Sequence, residues 1–231
     1  MISIVYLKSN IYTYNMDIDF LKTHVIKSID NAYNNISPLT ESILEMEGMC
    51  GIKTRHLYNN MCSLPNAKYL EVGTYVGCGV ISALYNNSTA EAYCIDDWSF
   101  NCKDRFYNNI DRFVPAEKEK ITIIEKDCFT VSPDEVKYPI DIFMYDAGHT
   151  FDDQKKAVTH FYPFFSKYVI IMIDDWVCNF VKDGTLAGFS EVPLKIHYSN
   201  EIELVNTANL HTVGDAFWNG CGIFLCERTD I

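Results

Sequence analysis

The residues with most chemistry to offer are acids at regular stations along the chain. Glu71, Asp96, Asp127, Asp146 and the pair Asp174-Asp175 each follow or close a short apolar run. A single acid there often caps the next helix by accepting from its first amides. A series along one rim is different, because clustered carboxylates repel unless cations or hydroxyls stand between them. Glu71 is followed by Gly73, Gly77 and Gly79, residues that let a ligand approach bare backbone at a helix start. A rim of acids beside a glycine turn is suited to a hydroxylated ligand that carries positive charge.

Such a rim requires parallel strands whose carboxyl ends meet. The apolar runs supply them at 68–72, 92–95, 121–125, 139–145 and 168–173, with helical spacing over 77–85, 102–113 and 151–165. Strands alternating with helices imply right-handed β-α-β units and a sheet covered on both faces. The segments 194–205 and 222–226 are strand-like with no evident helix between them, and fit an antiparallel pair at one sheet edge. In such sheets ligands bind outside the carboxyl ends of the strands.

Ahead of the first strand the period is helical. Ile18, Leu21, Val25, Ile29, Ala32 and Tyr33 fall at three- and four-residue steps. Ser37-Pro38 reads as the cap and first residue of a second helix, with Leu39, Ile43, Leu44 and Met46 inward. Gly48 and Gly51 break it, and Thr54 is placed to cap a third helix through Leu57 and Met61. Residues 1–16 show no period, and read as an irregular lead-in or an edge strand.

Bulk properties exclude more than they identify. The 231 residues suffice for one substantial core. A formal net charge of −12 argues against a nucleic-acid backbone as partner, which calls for a basic face. The nine cysteines include no C-x-x-C pair, which speaks against a zinc site or a disulfide framework and for buried thiols in a reducing, cytoplasmic setting. No run has the length of a membrane span, and the early residues show no cleavage signal.

The glycine spacing does not match the G-x-G-x-x-G turn of dinucleotide folds, and Glu71 would repel a pyrophosphate. An acid ending the second strand suits ribose hydroxyls. The pattern points to a nucleoside without phosphates.

Glu71-Val72-Gly73-Thr74-Tyr75-Val76-Gly77 resembles the E/D-x-G-x-x-x-G motif of class I S-adenosylmethionine-dependent methyltransferases. Asp96 resembles that fold's ribose-binding acid, and Asp127-Cys128-Phe129 its adenine-pocket motif. The resemblance, over about residues 50–227, implies an α/β Rossmann-like doubly wound sheet. Its seven strands would run in the order 3-2-1-4-5-7-6, the last antiparallel. It also implies an N-terminal helical cover at 1–62, an S-adenosyl-L-methionine-binding domain at 63–231, and donor contacts from Glu71, Gly73, Thr74, Tyr75, Gly77, Asp96, Trp98, Asp127, Cys128 and Phe129.

Within that fold, Asp146-Ala147-Gly148-His149 and Asp174-Asp175-Trp176 resemble the metal-dependent small-molecule O-methyltransferases of the catechol, macrocin and aminocoumarin-sugar types. The resemblance implies Asp146, Asp174 and Asp175 as ligands of Mg²⁺ or another divalent cation, and a hydroxyl of a small molecule, such as a sugar or polyol, as acceptor. Where the sugar-methylating members carry a second acid two residues on, this chain has Gly148. His149 follows it and is the candidate base through its near-neutral intrinsic pKa. Its alternative is to cap the helix starting near Thr150 or to support the metal from behind.

Lesser candidates are the basic run Lys53-Thr54-Arg55-His56, facing an anionic group or only solvent, and Lys182-Asp183-Gly184-Thr185, a lid element or a plain turn. Trp98, Trp176 and Trp218-Asn219-Gly220 are candidate pocket walls or simply core. The acceptor pocket is expected from 18–62 and 176–220. A donor-binding module without catalysis, a nicotinamide oxidoreductase and a homo-oligomer stay open as alternatives.

Overall fold

The computed structural model describes residues 17–137, 139–203 and 216–231. Seven strands form one sheet: β1 (Lys68–Val72), β2 (Glu91–Asp96), β3 (Ile121–Glu125), β4 (Ile140–Tyr145), β5 (Phe165–Asp174), β6 (Leu194–Ile202) and β7 (Cys221–Arg228). Their order is β3-β2-β1-β4-β5-β7-β6, as expected. β1 to β5 run parallel, and β7 enters antiparallel between β5 and β6. The order turns around at β1 and β4, which places the switch point of the topology beside Glu71 and Asp146.

Alternation along the central strands divides the core in two. Tyr69, Ile142, Met144, Ile170 and Met172 face α1 (Ile18–Tyr33), α3 (Ile52–Met61) and α4 (Cys78–Leu84), packing with Val25, Leu57 and Ile81. Leu70, Val72, Phe143, Ile171 and Ile173 face the other way, onto Val158 and Phe161 of α6 (Phe151–Phe161) and Val181 and Phe189 of α7 (Asn179–Ser190). α2 (Glu41–Leu44) is one turn, and α5 (Lys103–Phe113) lays Phe106 and Ile110 on the first face.

Several boundaries differ from expectation. The second helix starts at Glu41 with Thr40 ahead of it; the Ser37 hydroxyl meets the His56 ring at 2.6 Å and accepts from the Leu39 amide at 3.3 Å, but no helix follows it directly. The third helix starts at Ile52 after Gly51, so Thr54 lies inside it. Residues 182–185 are neither lid nor turn but part of α7. Its glycines hide the helical signal and serve close packing: a Cβ on Gly184 would lie 2.4 Å from the Phe151 carbonyl oxygen of α6. The lead-in 1–16 and the end of the expected 194–205 strand fall outside the described residues.

The basic run is structural. Arg55 is fully buried and donates to the carbonyls of Cys50, Ile43 and Met46 at 3.1, 2.6 and 2.7 Å. His56 is buried as well, and Lys53 reaches Asn35 Oδ1 at 3.0 Å beyond the end of α1. Arg55 thus organises the segment that brings Met49 and Cys50 to the site.

Candidate active site

The turn after β1 is tied to its neighbours through backbone. The Gly73 amide donates to Ile95 O at 2.9 Å, and the Asp146 amide to Val72 O at 2.9 Å. Gly73 adopts φ +86°, and a Cβ there would lie 1.8 Å from the Asp146 carbonyl oxygen. The loops that carry the first and fourth acids are therefore locked together.

Asp96 fixes two strained residues. Its Oδ2 accepts from the Tyr75 amide at 2.8 Å and its Oδ1 from the Trp98 amide at 2.7 Å. Tyr75 and Trp98 have φ +51° and +57°, and Asp175 has φ +54°, so left-handed non-glycine residues gather at the strand ends. Such strain persists only where the surroundings enforce it, and it concentrates at functional sites.

One cavity of about 570 Å³ runs along these ends. It is lined by Glu71, Gly73, Thr74, Tyr75, Asp96, Asp127, Cys128, Phe129, Asp146 and His149, all candidates from the sequence. Gly77 and Trp98 do not line it. Gly77 caps α4 at φ +87° under the Phe106 ring, and the Trp98 indole packs on the same ring with centroids 5.2 Å apart. Phe100, 71% exposed and edge-on to Tyr75, lines the cavity instead. Trp176 is core, with its indole against Gly222 and its Nε1 donating to Glu201 at 3.0 Å.

At one end Phe129 stacks with Tyr145 at 6.4 Å, and Asp127 accepts from the Phe129 amide at 2.9 Å to hold the turn. At the other end Glu71 is 4% exposed, and its Oε2 accepts from the Tyr69 hydroxyl at 2.7 Å. Burial pushes its carboxyl well above the ordinary range. A Cβ on Gly79 would meet Glu71 Oε2 at 2.6 Å, so the acid is accommodated only because that helix turn is bare. Met49, Cys50 and Tyr58 close this end. Met49 and Cys50 come from the segment between α2 and α3 and Tyr58 from α3, and no spacing in the sequence links them to the strand tips.

The acid cluster differs from the expected trio. Asp146, His149 and Asp175 are the residues whose ligand atoms all lie within 4.8 Å of one another. His149 Nε2 stands 2.5 Å from Asp175 Oδ2 and 3.8 Å from Asp146 Oδ1. Asp174 is outside this group: as the last residue of β5 it points into the first sheet face and is 5% exposed. Its carboxyl is pushed well up by burial, then by the charges of Asp146 and Asp175. Burial also raises Asp146. For Asp175 burial is outweighed by the His149 and Asn219 side chains, which hold its carboxyl low. His149 does not keep a near-neutral pKa: Asp146 and Asp175 raise it to about 10. Protonated, the ring has no lone pair, so service as a base or as a cation ligand requires that this proton leave first.

The arrangement fits the groups expected of it. A buried carboxylate partnered by one hydroxyl calls for a cationic ligand group at Glu71, and two carboxylates beside an imidazole are a donor set for a divalent ion. All nine cysteines are free thiols, seven of them buried. Among the described residues no helix is long and apolar enough to cross a membrane.

With this geometry, residues 70–176 match the family model of a methyltransferase domain. That match takes in slightly less than half of the chain, and the strand order is the one of the Rossmann-like methyltransferase fold. The chain is similar to the O-methyltransferase of Bacillus cereus solved with SAH, at 14% identity and TM-score 0.57, over 93% of this chain and 94% of that one. It is equally similar to TomG of Streptomyces achromogenes, an O-methyltransferase involved in tomaymycin synthesis solved with SAM. There the identity is 14% and the TM-score 0.56, over 89% of each chain. TrmN of Thermus thermophilus matches over 76% of this chain at 11% identity and TM-score 0.50, and the chain spans 48% of its length. No curated protein matches the chain in sequence.

Proposed function

We propose that the chain transfers the methyl group of S-adenosylmethionine to a hydroxyl of a small molecule such as a sugar or polyol, with help from a divalent cation such as Mg²⁺. The observation that carries this reading is the continuity of the cavity, which runs from Phe129 past Asp96 and Glu71 to Asp146 and His149. A nucleoside lying along it puts its base on the Phe129 ring and its ribose at Asp96. Its ammonium then meets Glu71, and its methyl-bearing end faces the acid cluster.

Asp146 and Asp175 would hold the cation. Bound there, it would lower the pKa of an acceptor hydroxyl and orient the oxygen. The protein's own contribution is alignment, which can supply about 7–11 kcal/mol of barrier reduction. Tyr58, Met49 and Cys50 exclude water from the donor's end, and segments 18–62 and 176–220 are proposed to shape the acceptor side. The free thiols suit a reducing, cytoplasmic setting.

The test is methyl transfer from labelled S-adenosylmethionine to a panel of sugars, polyols and phenols, with and without a chelator. Chelator-sensitive methyl ether formation supports the reading. Binding of the donor product with no transfer to any hydroxyl would favour a donor-binding module instead.

A further inference from the structure

We propose that His149, not Asp174, is the third protein ligand of the cation site beside Asp146 and Asp175. The mixed imidazole–carboxylate set then takes a first-row transition ion such as Mn²⁺ or Co²⁺ ahead of Mg²⁺. The inference rests on the cation reading above and specifies it further.

The backbone decides which acids can meet. Side chains alternate along a strand, so consecutive residues point to opposite faces. Asp174 ends β5 paired with Cys221, on the face of Ile170 and Met172. Asp175, at φ +54°, leaves the strand and turns its carboxylate toward His149 instead. The tandem acids thus diverge. His149 lies just ahead of α6, whose N-cap Thr150 accepts from the Asp153 amide at 3.1 Å, and this fixes where the imidazole enters the site.

Three further observations point to an ion. Asn219 donates to Asp175 Oδ1 at 2.5 Å, which orients the carboxylate and leaves Oδ2 facing the cluster, as partners behind metal ligands do. Asp146 and His149 line the cavity and keep 33% and 45% of their side chains exposed, so an ion can enter. Asp174 is nine-tenths buried behind the cluster and has no hydrogen-bonded cation among the described residues.

The donor set favours transition ions. Mg²⁺ demands oxygen ligands and near-ideal octahedral geometry, and gains little from an imidazole nitrogen. Imidazole with carboxylates suits Mn²⁺, Fe²⁺, Co²⁺ and Zn²⁺. An all-aspartate trio would remove this distinction.

The experiment uses the purified full chain with SAH bound and Mn²⁺ as probe, followed by electron paramagnetic resonance. One equivalent of Mn²⁺ should bind, with a directly coordinated ¹⁴N signal in the pulsed spectrum of the wild-type protein. Mg²⁺ should displace it only at about tenfold or greater excess in affinity terms. His149→Gln should lose the ¹⁴N signal and about tenfold or more in Mn²⁺ affinity, whereas Asp174→Asn should keep the signal. Bound Mn²⁺ without a ¹⁴N signal overturns the His149 assignment but leaves the cation reading standing. Equal affinity for Mg²⁺ overturns the preference. No binding of Mn²⁺, Co²⁺ or Mg²⁺ overturns both.

Discussion

Replacing Gly73 with alanine tests whether the first and fourth strand ends are one mechanical unit. Gly73 sits at φ +86°, where an L side chain costs about 1–2 kcal/mol. The new methyl would also stand 1.8 Å from the Asp146 carbonyl oxygen and 2.6 Å from its carbon, both backbone atoms with no rotamer to yield. Overpacking of this kind costs about 1–3 kcal/mol more, for a total of about 2–5 kcal/mol. Gly77→Ala is the control. It has nearly the same φ, but its methyl would meet a Phe106 ring carbon at 3.0 Å, so the backbone penalty of about 1–2 kcal/mol dominates. Chemical unfolding should therefore place Gly73→Ala clearly below Gly77→Ala. The displaced Asp146 loop should also weaken SAH binding in calorimetry for Gly73→Ala far more than for Gly77→Ala. Equal stability and equal SAH affinity of the two variants would refute the coupling.

Glu71→Gln should separate stability from binding. The folded pKa of Glu71 lies above its ordinary 4.5, so its contribution to stability is fully present below that value and lost as pH rises through the raised pKa. The glutamine variant should show a flatter decline of melting temperature on raising pH through that window, yet bind SAH about tenfold to a hundredfold more weakly for lack of a charged acceptor. An unchanged pH slope would count against it. Arg55→Met strands three buried carbonyls at about 1–3 kcal/mol each and should lower the urea midpoint sharply; Arg55→Lys should recover only part. Gly184→Ala and Gly188→Ala should destabilise α7 against α6 although alanine is the better helix former by about 0.8–1 kcal/mol; a raised melting temperature would contradict the packing.

The sheet was legible because each central strand is a short apolar run closed by an acid, and burial on both faces demands such runs. The donor side of the site was legible for the same reason: Glu71, Asp96, Asp127 and Asp146 sit where alternation and strand length put them, and all line one cavity. Three things were not. α7 was hidden by glycines whose reason is another helix. Trp98 is expected at the donor, but a positive φ there accompanies an indole packed on Phe106, and Phe100, which no spacing marks, lines the cavity instead. The tandem Asp174-Asp175 looked like a matched pair, but alternation and the backbone turn at Asp175 part them, and the cluster gains His149.

The most direct test of the central reading is a crystal structure of the chain grown with SAH. Adenine should lie against Phe129, the ribose hydroxyls at Asp96, the ammonium near Glu71, and the sulfur should turn toward Asp146 and His149. SAH bound in the reverse direction, with its base at Tyr58 and Glu71, or bound outside this cavity, would contradict it.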